Sequence, residues 1–100
     1  MHQMSEIRDK TTPEDTAFLQ TVGERVRNAR ARRGMSRKIL AKDSGVSERY
    51  LAQLEGGAGN ISILLLRQIA RAMDLPITDF LGDRVPLGVD QALLLRQIED

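Results

Sequence analysis

Apolar residues recur along this chain at helical spacing, in short blocks that begin after a hydroxyl residue and end at glycine. Leu19, Val22, Val26 and Ala29, spaced 3, 4 and 3, form one buried stripe. Thr12 supplies an N-cap hydroxyl, Pro13 stands at the first helical position, and Glu14 and Asp15 lie near the positive end of the helix dipole. A first helix over 12–33 follows, stopped by Gly34. Ser36 caps a second helix over 37–43, and Gly45 suits a turn that needs a left-handed backbone. Ser47 caps a third helix over 48–55, with Val46, Leu51 and Leu54 facing inward, and small Ala41 sits where two helices must touch. The run Gly56-Gly57-Ala58-Gly59 ends that helix in a flexible bend. Ser62 caps a fourth helix over 63–73, with Leu66, Ile69, Ala70 and Met73 on one face. Pro76 opens a short fifth helix over 77–81 that carries Ile77, Phe80 and Leu81 to the core. The expected fold class is all-α.

The flanks have a different grammar. Residues 1–11 are polar and unpatterned, so disorder is expected there and a folded domain over 12–82. Residues 83–100 read as a linker containing Pro86, then a helix over 91–98 that Asp90 would cap. Leu93, Leu94, Leu95 and Ile98 give that last helix more apolar surface than a lone tail needs. It either docks on the domain, pairs with a second chain, or leads into a domain absent from this sequence.

Composition narrows the function. One hundred residues fit one small domain with tails, and with 41% hydrophobic but 3% aromatic residues the core must be aliphatic. The chain has no cysteine, which removes disulfides and thiolate metal sites and fits a reducing cytoplasm. Its single histidine, His2, lies in the polar tail, so no metal site is expected. No apolar run is long enough to cross a membrane, and the start lacks the apolar centre of a signal peptide. Asp43, Glu48 and Glu55 have no nucleophile, metal ligand or glycine-rich phosphate loop to work with, which argues against an enzyme and gives no reason to expect a cofactor.

Charge is distributed unevenly. Residues 21–50 hold nine Lys/Arg against three acids, a net of +6, which leaves −5 for the rest of a chain whose formal charge is +1. A basic block in an otherwise acidic chain is either the footprint of a phosphate-binding face or a solvated helix surface. The stretch from Ser36 to Gly56 tips the balance. It reads as two short helices joined by a tight turn, and it leaves Ser47, Glu48, Arg49, Tyr50 and Gln53 facing out, side chains that can meet bases and phosphates.

Residues 22–81 resemble the phage-repressor-like helix-turn-helix regulators, the xenobiotic-response-element (Cro/repressor) family. The resemblance rests on Val26-Arg27-Asn28-Ala29-Arg30, Gly34-Met35-Ser36, Leu40-Ala41, Ser44-Gly45-Val46-Ser47, Leu54-Glu55-Gly56, Leu66 and Ile69-Ala70 in that order. It implies a five-helix, lambda-repressor-like domain that binds double-stranded operator DNA, usually as a homodimer, with the third helix in the major groove. By position, it implies that Glu48, Arg49 and Gln53 read base edges, with Ser47 and Tyr50 nearby. It implies that Arg37 anchors the second helix to phosphate, that Asn60 and Ser62 form another phosphate clamp, and that Arg30 and Glu55 form a structural ion pair between the first and third helices. Two departures stand out. Arg37 replaces the glutamine common in the family, and Leu64 and Leu65 stand where relatives usually carry polar residues. Those two leucines, with the C-terminal leucines, suggest an added apolar contact surface. More narrowly, residues 45–62 look like regulators of bacterial aromatic-compound catabolism that carry a shikimate-kinase-like domain and sense a coenzyme A thioester. Any such effector would bind in a longer parent protein, because this chain lacks the Gly-x-x-x-x-Gly-Lys-Ser/Thr loop.

The chemistry of these side chains fits the implied roles to different degrees. Arg49 can donate a parallel pair of hydrogen bonds to guanine O6 and N7, and Gln53 can pair with adenine N6 and N7. Glu48 can accept from cytosine N4, hold Arg49 in place, or only favour the helix N-terminus. Tyr50 can press on a thymine methyl, bond a phosphate, or pack partly buried. Ser47 is first a helix cap whose hydroxyl also reaches phosphate, and Arg37, Lys38 and Asn60 would set register and affinity rather than sequence. The leading expectation is a nucleoid-associated bacterial transcriptional regulator of the repressor type. Two rivals share the fold: an antitoxin that binds both DNA and a toxin, and an interaction module that has lost DNA binding.

Overall fold

In the computed structural model, residues 11–82 are described. The expected segments 1–11 and 83–100, including the last helix over 91–98, lie outside them except for Thr11. Among the described residues there are five helices and no strand: α1 (Pro13–Arg32), α2 (Arg37–Ser44), α3 (Glu48–Glu55), α4 (Ile63–Ala72) and α5 (Thr78–Leu81). The expected all-α class and helix order hold, with no end displaced by more than one residue.

Each of the first four helices begins at a hydroxyl cap. Thr12 and Asp15 exchange hydrogen bonds of 3.0 Å in a capping box, and Ser36, Ser47 and Ser62 accept from the backbone N–H of Ile39, Tyr50 and Leu65. Each such cap contributes about 1 kcal/mol by satisfying an otherwise unpaired donor. The short α5 has no side-chain cap and starts at Thr78, one residue later than its apolar pattern indicates, because Ile77 itself occupies the cap position. The α2–α3 turn closes on Gly45, whose φ of 78° explains why glycine stands there.

The core is aliphatic apart from one ring. Val22, Val26 and Ala29 of α1, Leu40 of α2, Val46, Leu51 and Leu54 around α3, Leu66, Ile69 and Ala70 of α4 with Met73 at its C-cap, and Phe80 of α5 are buried. Leu19, expected in the buried stripe, is only half-buried, since it lies on the N-terminal side of the packed part of α1. The hub is α3. It packs against both α1 and α2, while α4 covers α2 and α5 returns to α1. α1 and α3 approach so closely that Gly23 of α1 lies against the carbonyl oxygens of Leu54 and Glu55. A side chain at position 23 has no room, and this glycine carries no signal in the hydrophobic pattern.

Candidate nucleic-acid interface

The buried side of α3 decides what its other side can do. Leu51, Leu54 and Glu55 are buried, so Glu48, Arg49, Ala52 and Gln53 share the exposed face of the helix. Among the described residues, the side chains of Arg49 and Gln53 enter no ion pair or internal hydrogen bond. Glu48 is likewise exposed and does not pair with Arg49. Of the four side chains expected at bases, Glu48, Arg49 and Gln53 therefore stand together on one solvent-facing surface, while Tyr50 is half-buried.

Around this face lie the residues expected at phosphates. Arg37 and Lys38 are exposed at the N-terminus of α2, and Ser47 at that of α3. Asn60 and Ser62 are exposed before α4. Tyr50 bridges two of these regions: its ring is half-buried, and its hydroxyl accepts a 2.9 Å hydrogen bond from the Ser62 backbone N–H. Tyr50 thus packs against the core, and its hydroxyl keeps a proton to donate.

The structural ion pair is present and larger than expected. Arg30 donates to both carboxylate oxygens of Glu55, Nε to Oε2 at 2.7 Å and Nη2 to Oε1 at 2.9 Å. Its Nη1 also donates to the Met35 carbonyl at 2.8 Å, which ties α1 to the loop before α2. Arg37 joins as a third member, donating Nε to Glu55 Oε1 at 3.1 Å. The Glu55 side chain is 1% exposed, that of Arg30 15% and that of Arg37 46%. Burial alone would push the Glu55 carboxyl up. Hydrogen bonds from Arg30 and Arg37, and their charges, outweigh it and hold the carboxyl below its ordinary value of 4.5. Arg30 is raised, chiefly by its hydrogen bonds to Glu55.

A pH dependence follows from the lowered carboxyl. A group whose native pKa is depressed stabilises the fold fully above its unfolded value and loses that contribution as pH falls through the native one. The triad should therefore contribute in full above about pH 4.5 and weaken progressively below it. Acid titration of helical circular dichroism should show wild type losing stability in that window more steeply than Glu55→Gln. Parallel acid titrations would exclude Glu55 as the group responsible.

The basic block divides by geometry. Arg25 turns toward the chain's own fold, where it donates to the Phe80 and Gly82 carbonyls at the end of α5. Arg27 lies 3.9 Å from Glu24 on the α1 surface. Arg30 is consumed by Glu55. The exposed cations nearest the α3 surface in sequence are Arg37, Lys38, Lys42 and Arg49, so the net charge of the block overstates its share of any phosphate-facing surface.

Comparison with known proteins agrees with this arrangement. Residues 26–80 match the family described as Helix-turn-helix. The immunity repressor protein of Bacillus phage phi105 is 29% identical over 72 residues, which are 72% of this chain and 50% of the repressor. This chain thus spans about half the length of that curated relative. The restriction-modification controller protein of Aeromonas hydrophila superposes with a TM-score of 0.62 at 31% identity, over 64% of this chain and 97% of the controller. The clp gene regulator of Corynebacterium glutamicum superposes with a TM-score of 0.61 at 33% identity, over 64% and 82% of the two chains. The exposed third helix, the hydroxyl-capped turn before it and the arginine–glutamate pair accordingly belong to a helix-turn-helix domain, and the chain is a member of the phage-repressor-like helix-turn-helix family.

Proposed function

We propose that this chain binds a specific operator as a repressor, with α3 lying in the major groove. The observation that carries this reading is the shared exposed face of Glu48, Arg49 and Gln53, whose longer side chains are uncommitted within the domain. Arg49 reads guanine and Gln53 reads adenine, the pairings their donor and acceptor geometry favours. Glu48 borders them and accepts from cytosine or orients Arg49. Arg37, Lys38, Ser47, Asn60 and Ser62 hold the flanking phosphates, and Tyr50 joins this group, donating its hydroxyl proton outward while it accepts from Ser62.

Operator binding would use a homodimer. Ile63 and Leu64, 56% and 64% exposed at the start of α4, are apolar surface without a partner among the described residues, and half-buried Leu65 adjoins them. This patch and the C-terminal leucines supply the proposed subunit contact. A phage repressor among the relatives favours repression over activation.

Selection from random duplex DNA tests the whole reading. A palindromic motif is expected, with half-sites about one helical turn apart. On that operator, Arg49→Ala should lose about 1–3 kcal/mol of discrimination at one base pair, whereas Arg37→Ala should weaken every sequence alike and flatten the salt dependence by about one charge. Equal weakening by both variants on all sequences would remove Arg49 from the base-reading role. No retention of DNA at low salt would instead favour the protein-interaction module.

A further inference from the structure

We infer that Glu55 is a positioning residue for DNA binding, because it grips Arg37 by Nε and turns the rest of that guanidinium toward the phosphate backbone. The inference rests on the proposed phosphate contact of Arg37 and extends it to a residue otherwise assigned to folding alone.

The geometry sets Arg37 across the boundary of the protein. Its Nε lies 3.1 Å from Glu55 Oε1, and that carboxylate is 1% exposed, yet the Arg37 side chain as a whole is 46% exposed. One edge of the fork is thus held inside while its remaining N–H groups are left to face outward from the start of α2. Arg30 already neutralises the carboxylate with hydrogen bonds of 2.7 and 2.9 Å. The triad therefore keeps a net positive charge, and it resides on its most exposed member. Binding a phosphate does not require Arg37 to leave Glu55, because the planar guanidinium can donate to two anions from different edges at once. Holding it beforehand removes rotamer entropy that a free surface arginine would lose on binding.

A lysine cannot make this arrangement. Its three donors radiate from one nitrogen, so it has no second edge to present outward while a first is held by Glu55, and Arg37→Lys separates charge from positioning. Wild type, Arg37→Ala and Arg37→Lys are compared on one selected operator duplex, at a temperature where circular dichroism shows all three folded. Arg37→Ala should bind about tenfold more weakly, and Arg37→Lys should stay close to Arg37→Ala despite its charge. Wild-type affinity in Arg37→Lys overturns the positioning role and leaves the phosphate contact standing. Wild-type affinity in Arg37→Ala removes the phosphate contact itself. A cycle with Glu55→Gln gives the direct readout: in that background Arg37→Ala should cost clearly less than in wild type, and an undiminished cost overturns the coupling. Should Glu55→Gln fail to fold, the lysine variant decides the matter without it.

Discussion

Glu55→Ala is expected to lower the melting temperature by roughly 12–40 °C, while Arg49→Ala leaves it nearly unchanged. Removing Glu55 leaves the Arg30 guanidinium, 15% exposed, in its site without the carboxylate that accepts from both its Nε and its Nη2. Breaking one side of such a buried pair costs about 3–5 kcal/mol, because the partner stays behind desolvated and unpaired. In a domain of this size each kcal/mol moves the transition by about 4–8 °C. A total stability on the order of 4–10 kcal/mol means that much of the fold's margin is at stake. The damage should also spread, since Arg30 Nη1 is the anchor of the Met35 carbonyl and Arg37 loses its inner partner. Arg49 lies on the exposed face of α3 with no internal partner among the described residues, so truncating it should spare the fold and affect DNA. Thermal unfolding of both variants by circular dichroism checks the contrast. Equal melting temperatures would mean that the triad is not what holds α1 to α3.

Much of this arrangement was legible in the residues. One threonine and three serine caps followed by apolar residues at helical spacing mark four helices almost to the residue, because capping and burial both act through local chain geometry. The Arg30–Glu55 pair was legible only through family resemblance, since spacing does not reveal that residues 25 positions apart meet. The third member, Arg37, was not legible as a partner of Glu55. An exposed cation at the start of a helix looks the same in sequence whether or not its Nε finds a buried carboxylate. Arg25 shows the converse. Its charge counts toward a phosphate-facing block, yet its side chain closes on the carbonyls at the end of α5. Net charge along the sequence carries no direction, and direction is what separates a DNA contact from an internal strut. The Tyr50 hydroxyl to Ser62 contact lies between these cases, because a half-buried tyrosine on α3 suits both packing and an outward polar contact.

Gly23 illustrates a constraint that no hydrophobic pattern records, and Gly23→Ala should be among the most damaging small substitutions in the chain. A Cβ at this position would overlap the Leu54 carbonyl oxygen and lie 2.9 Å from that of Glu55. Both obstacles are backbone, so no rotamer change relieves them; α1 and α3 must move apart. In the interior of an exposed helix, alanine in place of glycine would gain about 1 kcal/mol of helix propensity. Here overpacking opposes that gain, and a clash against backbone lies at or beyond the upper end of the usual range of about 1–3 kcal/mol. Separation of the two helices would also stretch the Arg30–Glu55 bonds of 2.7 and 2.9 Å, so packing and ion pairing should fail together. The net expectation is a loss of at least about 3 kcal/mol, with weaker operator binding as a secondary effect because α3 is displaced. Chemical denaturation of Gly23→Ala beside wild type measures it. A midpoint equal to or above wild type would mean that α1 and α3 are separated by more than this packing allows, and that α3 is not held against α1 by direct backbone contact.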